Sequence, residues 1–166
     1  MPVEALAQRT ALESRRQRQY VFHGLMPPVE TIVPSGTAWS QLAIAPGVIQ
    51  PAMQASLQGA FSVAPGGLSV PLLARWSVAV AVGITDADGG SARVEVELRA
   101  GGQQLTAPAC RLFLVNNAAD PNNGSIPAIV QTSGELQLWC RHDRGGARTI
   151  VVQNQQWHVT FLDNAK

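Results

Sequence analysis

Lysine is almost missing from this chain: eleven of its twelve basic residues are arginine, and the only lysine is Lys166. Charge of either sign is thin, at 14% of 166 residues with a net of +1, where an ordinary globular domain carries about 25%. A nucleic-acid binder concentrates basic residues on one face, so no nucleic acid is expected as a partner. Sparse charge on a chain that folds points instead to a surface that meets protein, as in an obligate assembly. Long apolar runs are missing as well, and the best, such as Val78–Ile84, falls far short of the roughly 20 residues that cross a bilayer as a helix. No membrane partner is expected. The start, MPVEALAQRTALESRR, holds Glu4 and Glu13 and no continuous apolar stretch, so no secretory leader is read there and maturation in a cytoplasm is expected.

Cysteine is limited to Cys110 and Cys140, without a CxxC pair. Both lie in apolar, strand-like contexts, where two buried free thiols are expected in a reducing compartment and a disulfide is the alternative. The three histidines, His23, His142 and His158, show no metal-ligand spacing. Asp86, Asp88 and Gly89-Gly90 resemble the start of a calcium loop but lack the distal glutamate, and a hairpin turn accounts for the same letters. Ser35-Gly36 and Ser133-Gly134 are turn dipeptides without a nucleophile elbow. The glycine pairs at 66, 89, 101 and 145 precede no helix that could hold a phosphate. No enzyme activity, cofactor or metal is therefore expected.

What the chain does contain is an apolar fraction of 46%, which suits one folded core. A chain of this mass leaves about 8,000 Å² exposed of roughly 25,000 Å² when unfolded, so about 70% of its surface is buried without staples. Residues 3–19 are rich in Ala, Leu, Glu, Gln and Arg and predict a helix, with Glu4 at its positive end and Arg15, Arg16 and Arg18 at its negative end. Its apolar stripe, Val3, Leu6, Ala7, Ala11 and Leu12, is thin, so the helix needs a partner. Residues 20–36, with Gly24, Pro27-Pro28 and Pro34, read as an extended arm that drops side chains into a neighbouring surface. The expected division is an arm over 1–36 and one domain over 37–166.

From Thr37 onward the texture is that of short strands between turns. Over 75–85 the bulky Trp76, Val78, Val80, Val82 and Ile84 alternate with Ser77, Ala79, Ala81 and Gly83. Small residues on the second face predict close approach by another layer or chain. After DADGG, Ala92–Arg99 alternates apolar Val94, Val96 and Leu98 with charged Arg93, Glu95, Glu97 and Arg99, which predicts a half-solvated strand in a hairpin with the one before. Further strands are read at 41–44, 57–63, 68–73, 111–115, 126–131, 135–141, 148–153 and 156–162. Eight to ten strands in about 130 residues predict an all-β, antiparallel sandwich or barrel.

The order of RWSVAVAVGIT, a glycine-containing turn, ARVEVELRAGG and later SGELQLWCRHDRGGARTIVVQNQQWHVTFL, ending on Trp157, Val159 and Phe161, resembles the close of jelly rolls of the tumour-necrosis-factor and complement-C1q type. It is similar to bacteriophage capsid-decoration (cement) proteins and fibre-head domains, over about residues 57–162. That resemblance implies a jelly-roll β-sandwich in a symmetric homo-oligomer, a trimer by expectation, that binds the major capsid protein on the surface of a virion. The arm residues expected to reach the capsid are Leu6, Arg9, Leu12, Arg15, Arg16, Arg18, Tyr20 and Phe22. The arginine group reads equally as a solvated helix face or as forks for carboxylates on a neighbour. Trp76, Val78, Val80, Trp139, Trp157 and Phe161 are expected as core or oligomer anchors, and Trp39 with them. The competing expectation is a receptor-binding or fibre-head module whose loop tips, such as NNAADPNNG at 116–124, contact a glycan.

Overall fold

The computed structural model describes residues 3–35, 38–44, 61–89, 92–114 and 122–165, with side chains described except at 16–19 and 106–114. Chain order is α1 (Val3–Gln19), β1 (Val21–Met26), β2 (Val29–Val33), β3 (Ser40–Gln41), β4 (Ser62–Ala64), β5 (Gly67–Ser69), β6 (Ala74–Asp86), β7 (Ala92–Ala100), β8 (Gln103–Leu114), β9 (Asn122–Thr132), β10 (Glu135–His142) and β11 (Arg148–Asn164). The strands form two antiparallel sheets. Sheet A runs β1-β11-β6-β9, with β2 also on β11; sheet B runs β4-β5-β10-β7-β8, with β3 also on β10. Successive strands from β8 to β11 alternate between the sheets, the crossover pattern of a jelly-roll sandwich.

Alternation sets which side chains meet between the sheets. From sheet A, Trp76, Val78, Val80, Val82 and Ile84 of β6 and Trp157, Val159 and Phe161 of β11 are buried. From sheet B they meet Val94, Val96 and Leu98 of β7 and Leu136, Leu138 and Cys140 of β10. The Trp76 indole donates from Nε1 to the Thr132 carbonyl at 3.1 Å, so its one polar atom is satisfied in the core. Two glycines close the β7-β8 hairpin, where Ala100 faces Gln103. Gly101 and Gly102 have φ of 57° and 78°, the paired left-handed conformation that a two-residue hairpin loop requires.

Several sequence expectations need correction. Residues 21–33 are not a surface arm: β1 and β2 lie in line along one edge of β11, pairing Val21 with Thr160 through Met26 with Gln155, and then Val29 with Val152 through Val33 with Arg148. Pro27-Pro28 interrupts what is otherwise one edge strand, because proline has no N–H for the ladder. The sandwich therefore begins near Tyr20 rather than at 37, and among the described elements the helix is the one that stands outside it. Phe22, expected to contact a partner, is fully buried, with its ring 5.4 Å from that of Phe61. Tyr20 packs edge-on against Trp76 at 6.4 Å and beside Phe161 at 6.2 Å.

The expected β6-β7 hairpin does not form, since β6 pairs with β9 and β11 while β7 pairs with β8 and β10. The turn between them carries the chain from one sheet to the other, and its aspartates serve that turn: Asp86 Oδ1 accepts from the Asp88 N–H at 3.0 Å and Asp88 Oδ2 from the Thr149 N–H at 2.6 Å. The turn expected around Asn154 is also absent. β11 runs through it with a register shift between Val152 and Asn154, so an irregularity in one strand stands where a hairpin was expected. Of the strand read at 57–63, residues 57–60 lie outside the described residues, as does Val115.

Cys140 is buried and free, and burial pushes its thiol up to about 12. Cys110 on β8 and Cys140 on β10 both pair with Val96 of the intervening β7. That puts their Cα atoms two strand spacings apart, about 9.5 Å, beyond the roughly 7 Å that a disulfide spans.

The position of Phe22 makes a direct test. Replacing it with alanine is expected to cost about 3–5 kcal/mol of unfolding free energy in urea titration, whereas a side chain on a free arm would leave the midpoint unchanged.

Candidate functional site

The two outer faces of the sandwich differ in chemistry. On sheet A, the outward residues alongside β1 fall in three cross-strand rows taken in the order β1, β11, β6, β9, with the exposed Glu30 of β2 farther along β11. These rows are Val21, Thr160, Ser77 and Ile129; His23, His158, Ala79 and Pro127; and Leu25, Gln156, Ala81 and Ser125. None of them is Asp, Glu, Lys or Arg. A charged pair, Arg75 Nη1 to Asp163 Oδ2 at 2.9 Å, bounds this field at one end. Four strands at about 4.8 Å by three rows at about 6.8 Å give ~400 Å², within the size range of the largest surface patch on an ordinary monomer. Ile129, 65% exposed, stands at its β9 margin.

Within this field lies a cleft of about 300 Å³ against His23, Leu25, Ala79, Ala81, Ser125, Gln156 and His158. Small residues on β6 make the floor low, and the longer side chains of β1 and β11 make the wall. His23 and His158 are directly opposed in the β1-β11 ladder, with ring centroids 4.0 Å apart at 63°. His158 Nε2 lies 3.0 Å from Thr160 Oγ1. Burial, and then the neighbouring His23, lower the pKa of His158 from the usual histidine range.

Sheet B carries its charge in a compact ladder. Glu95 of β7 bonds Arg93 Nη2 at 2.9 Å and Arg141 Nη2 at 2.5 Å. Glu97 takes Arg99 Nε at 2.5 Å and Gln104 Nε2 at 2.9 Å. The guanidinium of Arg99 lies over Trp139 at 4.1 Å, and that of Arg141 over Trp39 at 4.7 Å. The strand expected to be half-solvated is thus covered, and both glutamates are buried. Arginine achieves this where lysine could not, because its planar head bonds a carboxylate along its edge while stacking its face on an indole. Trp39 and Trp139 stay half-buried, each with part of its ring at the surface.

Helix α1 touches the body beside β11. Leu6 and Leu12 remain 56% and 49% exposed, and Arg9 bonds Glu13 on the helix itself at 3.1 Å. Arg15 is exposed, whereas the side chains of Arg16 and Arg18 lie outside the described residues. Trp76, Val78, Val80, Trp157 and Phe161 are core residues, and Trp139 alone of the six anchors faces outward. Most of the loop at 116–124 lies outside the described residues. His142 is buried, accepting at Nδ1 from the Arg144 N–H at 3.1 Å with Nε2 3.2 Å from the Val33 carbonyl, so it serves the fold. Among the described residues, no group of three or more His, Cys, Asp or Glu side chains is placed to hold a metal.

The structures to which this chain is similar include Eiger TNF from S. frugiperda, at 13% identity and a TM-score of 0.46 over 88% of this chain and 95% of that one. The C-terminal CBM6 of LamC, a marine laminarinase from Zobellia galactanivorans, is similar at 15% identity and a TM-score of 0.32 over 85% and 90%. The CBM22-1 xylan-binding domain of Paenibacillus barcinonensis Xyn10C is similar at 13% identity and a TM-score of 0.38 over 82% and 95%. No family model matches the chain, and no curated protein does.

The sheet B ladder yields a test. Arg99→Met leaves Glu97 buried with Gln104 as its remaining partner and is expected to lower stability by about 3 kcal/mol in urea unfolding. The double variant Glu97→Gln with Arg99→Met recovers a substantial part of that loss, because no charge is then stranded.

Proposed function

We propose that this protein is a non-enzymatic structural component of a bacteriophage virion, a capsid-decoration (cement) protein that binds the assembled head as a symmetric oligomer, most simply a trimer. The observation that carries the reading is the contrast between the outer faces. One sheet neutralises and covers its charge, while the other leaves an uncharged field of small and apolar side chains exposed. Copies of the chain meet through that field, where burial removes apolar surface from water without stranding a charge. Ala79 and Ala81 allow the backbones of two sheets to approach closely.

Helix α1 supplies the second contact. Its stripe of Val3, Leu6, Ala7 and Ala11 is exposed, and it docks on the major capsid protein, with Arg15 as a fork for carboxylates. An oligomer carries several such helices, so each contact raises the effective concentration of the next. Binding only to the closed shell stabilises that shell by mass action.

A receptor-binding or fibre-head role is the second reading. It is favoured by Trp39 and Trp139, whose half-exposed rings beside Arg99 and Arg141 suit stacking on a sugar. The cement reading is preferred because it uses both the uncharged field and the exposed helix.

Light scattering after size exclusion checks the assembly: the wild type is expected as an oligomer, and Ala79→Arg as a monomer of unchanged circular dichroism. Removing residues 1–19 is expected to preserve the oligomer and abolish co-sedimentation with undecorated shells. Binding of glycans or cells by both forms, with no binding to shells, would favour the fibre-head reading.

A further inference from the structure

We propose that His23 and His158 form a two-imidazole chelating site for a divalent transition metal of the zinc, nickel or copper class. The β1-β11 register places the two residues directly opposite each other on the same outward face, with rings in contact at 4.0 Å. Directly opposed side chains in an antiparallel pair have Cβ atoms about 5 Å apart. Modest rotation about each side chain brings one nitrogen from each ring to the roughly 2.0–2.1 Å that such metals take from imidazole.

The surroundings suit that class of ion. Both rings border the cleft of about 300 Å³, so a metal has an approach and room for water on its remaining positions. The groups facing the pair from the adjacent strands are Ala79 on β6 and Leu25 and Gln156 along their own strands, none of them charged. Imidazole without carboxylates selects zinc, copper and nickel over calcium and magnesium, which need oxygen ligands. Thr160 Oγ1, within 3.0 Å of one ring nitrogen, is placed to orient that ring. Both ligands come from one chain and lie in the middle row of the face through which copies are proposed to meet, so binding is measured on protein diluted to the monomer, where that face is open, and the site does not depend on a virion role.

Full-length protein without a histidine tag, titrated with zinc chloride in a calorimeter, is expected to bind one ion per chain saturably. His23→Gln and His158→Gln are each expected to weaken binding about tenfold or more, while His142→Gln leaves it unchanged. With copper(II), the paramagnetic resonance spectrum of the wild type is expected to show coupling to two imidazole nitrogens. Absence of saturable binding, or binding that neither His23→Gln nor His158→Gln weakens, overturns the site. Unchanged circular dichroism of both variants distinguishes loss of ligands from loss of fold.

Discussion

The fold depends on the pairing of β11 along both its edges. Its seventeen residues accept β6 on one side over nearly their whole length, and β1 followed by β2 on the other. A strand near the C-terminus is thereby hydrogen-bonded to strands near the N-terminus, and the jelly roll cannot close until both ends of the chain are present. The same pairing positions the aromatic cluster, because it brings Tyr20 and Phe22 over Trp76, Phe61 and Phe161. Large rings at edge-to-face distances bury more area per residue than the valines around them, and each contributes about 0.5–1.5 kcal/mol beyond its area.

The pairing also determines what the outside of each sheet can do. Three strands of sheet A come from parts of the sequence that alternate bulky with small or uncharged residues, so closing the core leaves an uncharged field on the exterior, between the Arg75–Asp163 pair and Glu30. In sheet B the exterior positions of β7 and β10 carry both signs of charge, and the ladder satisfies them within the sheet. The sparse charge of the whole chain is thus not spread evenly. It is concentrated where arginine, glutamate and tryptophan cover one another, and it is absent where we place the contacts between copies. The low lysine content fits this use, since the buried glutamates need a planar, stackable cation.

Much of the sandwich was legible because strand alternation is a local property. The inward set of β6 and the final Trp157, Val159 and Phe161 follow from period-two patterning, and the helix at 3–19 from its composition. What was not legible is which strands pair. DADGG has the letters of a hairpin turn whether it joins neighbours in one sheet or crosses between two, and Val152 to Gln156 has the letters of a turn although the long strand runs on through an irregularity. Proline and glycine at 20–36 suggested an arm, since nothing local reveals that an edge strand tolerates Pro27-Pro28. The opposition of His23 and His158, 135 positions apart in sequence, exists only through the β1-β11 register. The sheet B ladder was half visible, in the Arg-x-Glu-x-Glu-x-Arg spacing of β7, but its covering by Trp39 required β3 to join β10.

The central claim is that the uncharged exterior of sheet A, and not the charged exterior of sheet B, is where copies of this protein meet. The most direct measurement places a photo-activated cross-linking amino acid at Ile129 on sheet A or, separately, at Gln137 on sheet B, and irradiates each protein at micromolar concentration. Covalent oligomers from position 129 with only monomer from position 137 are predicted. Cross-linking from 137 with none from 129 would contradict the account.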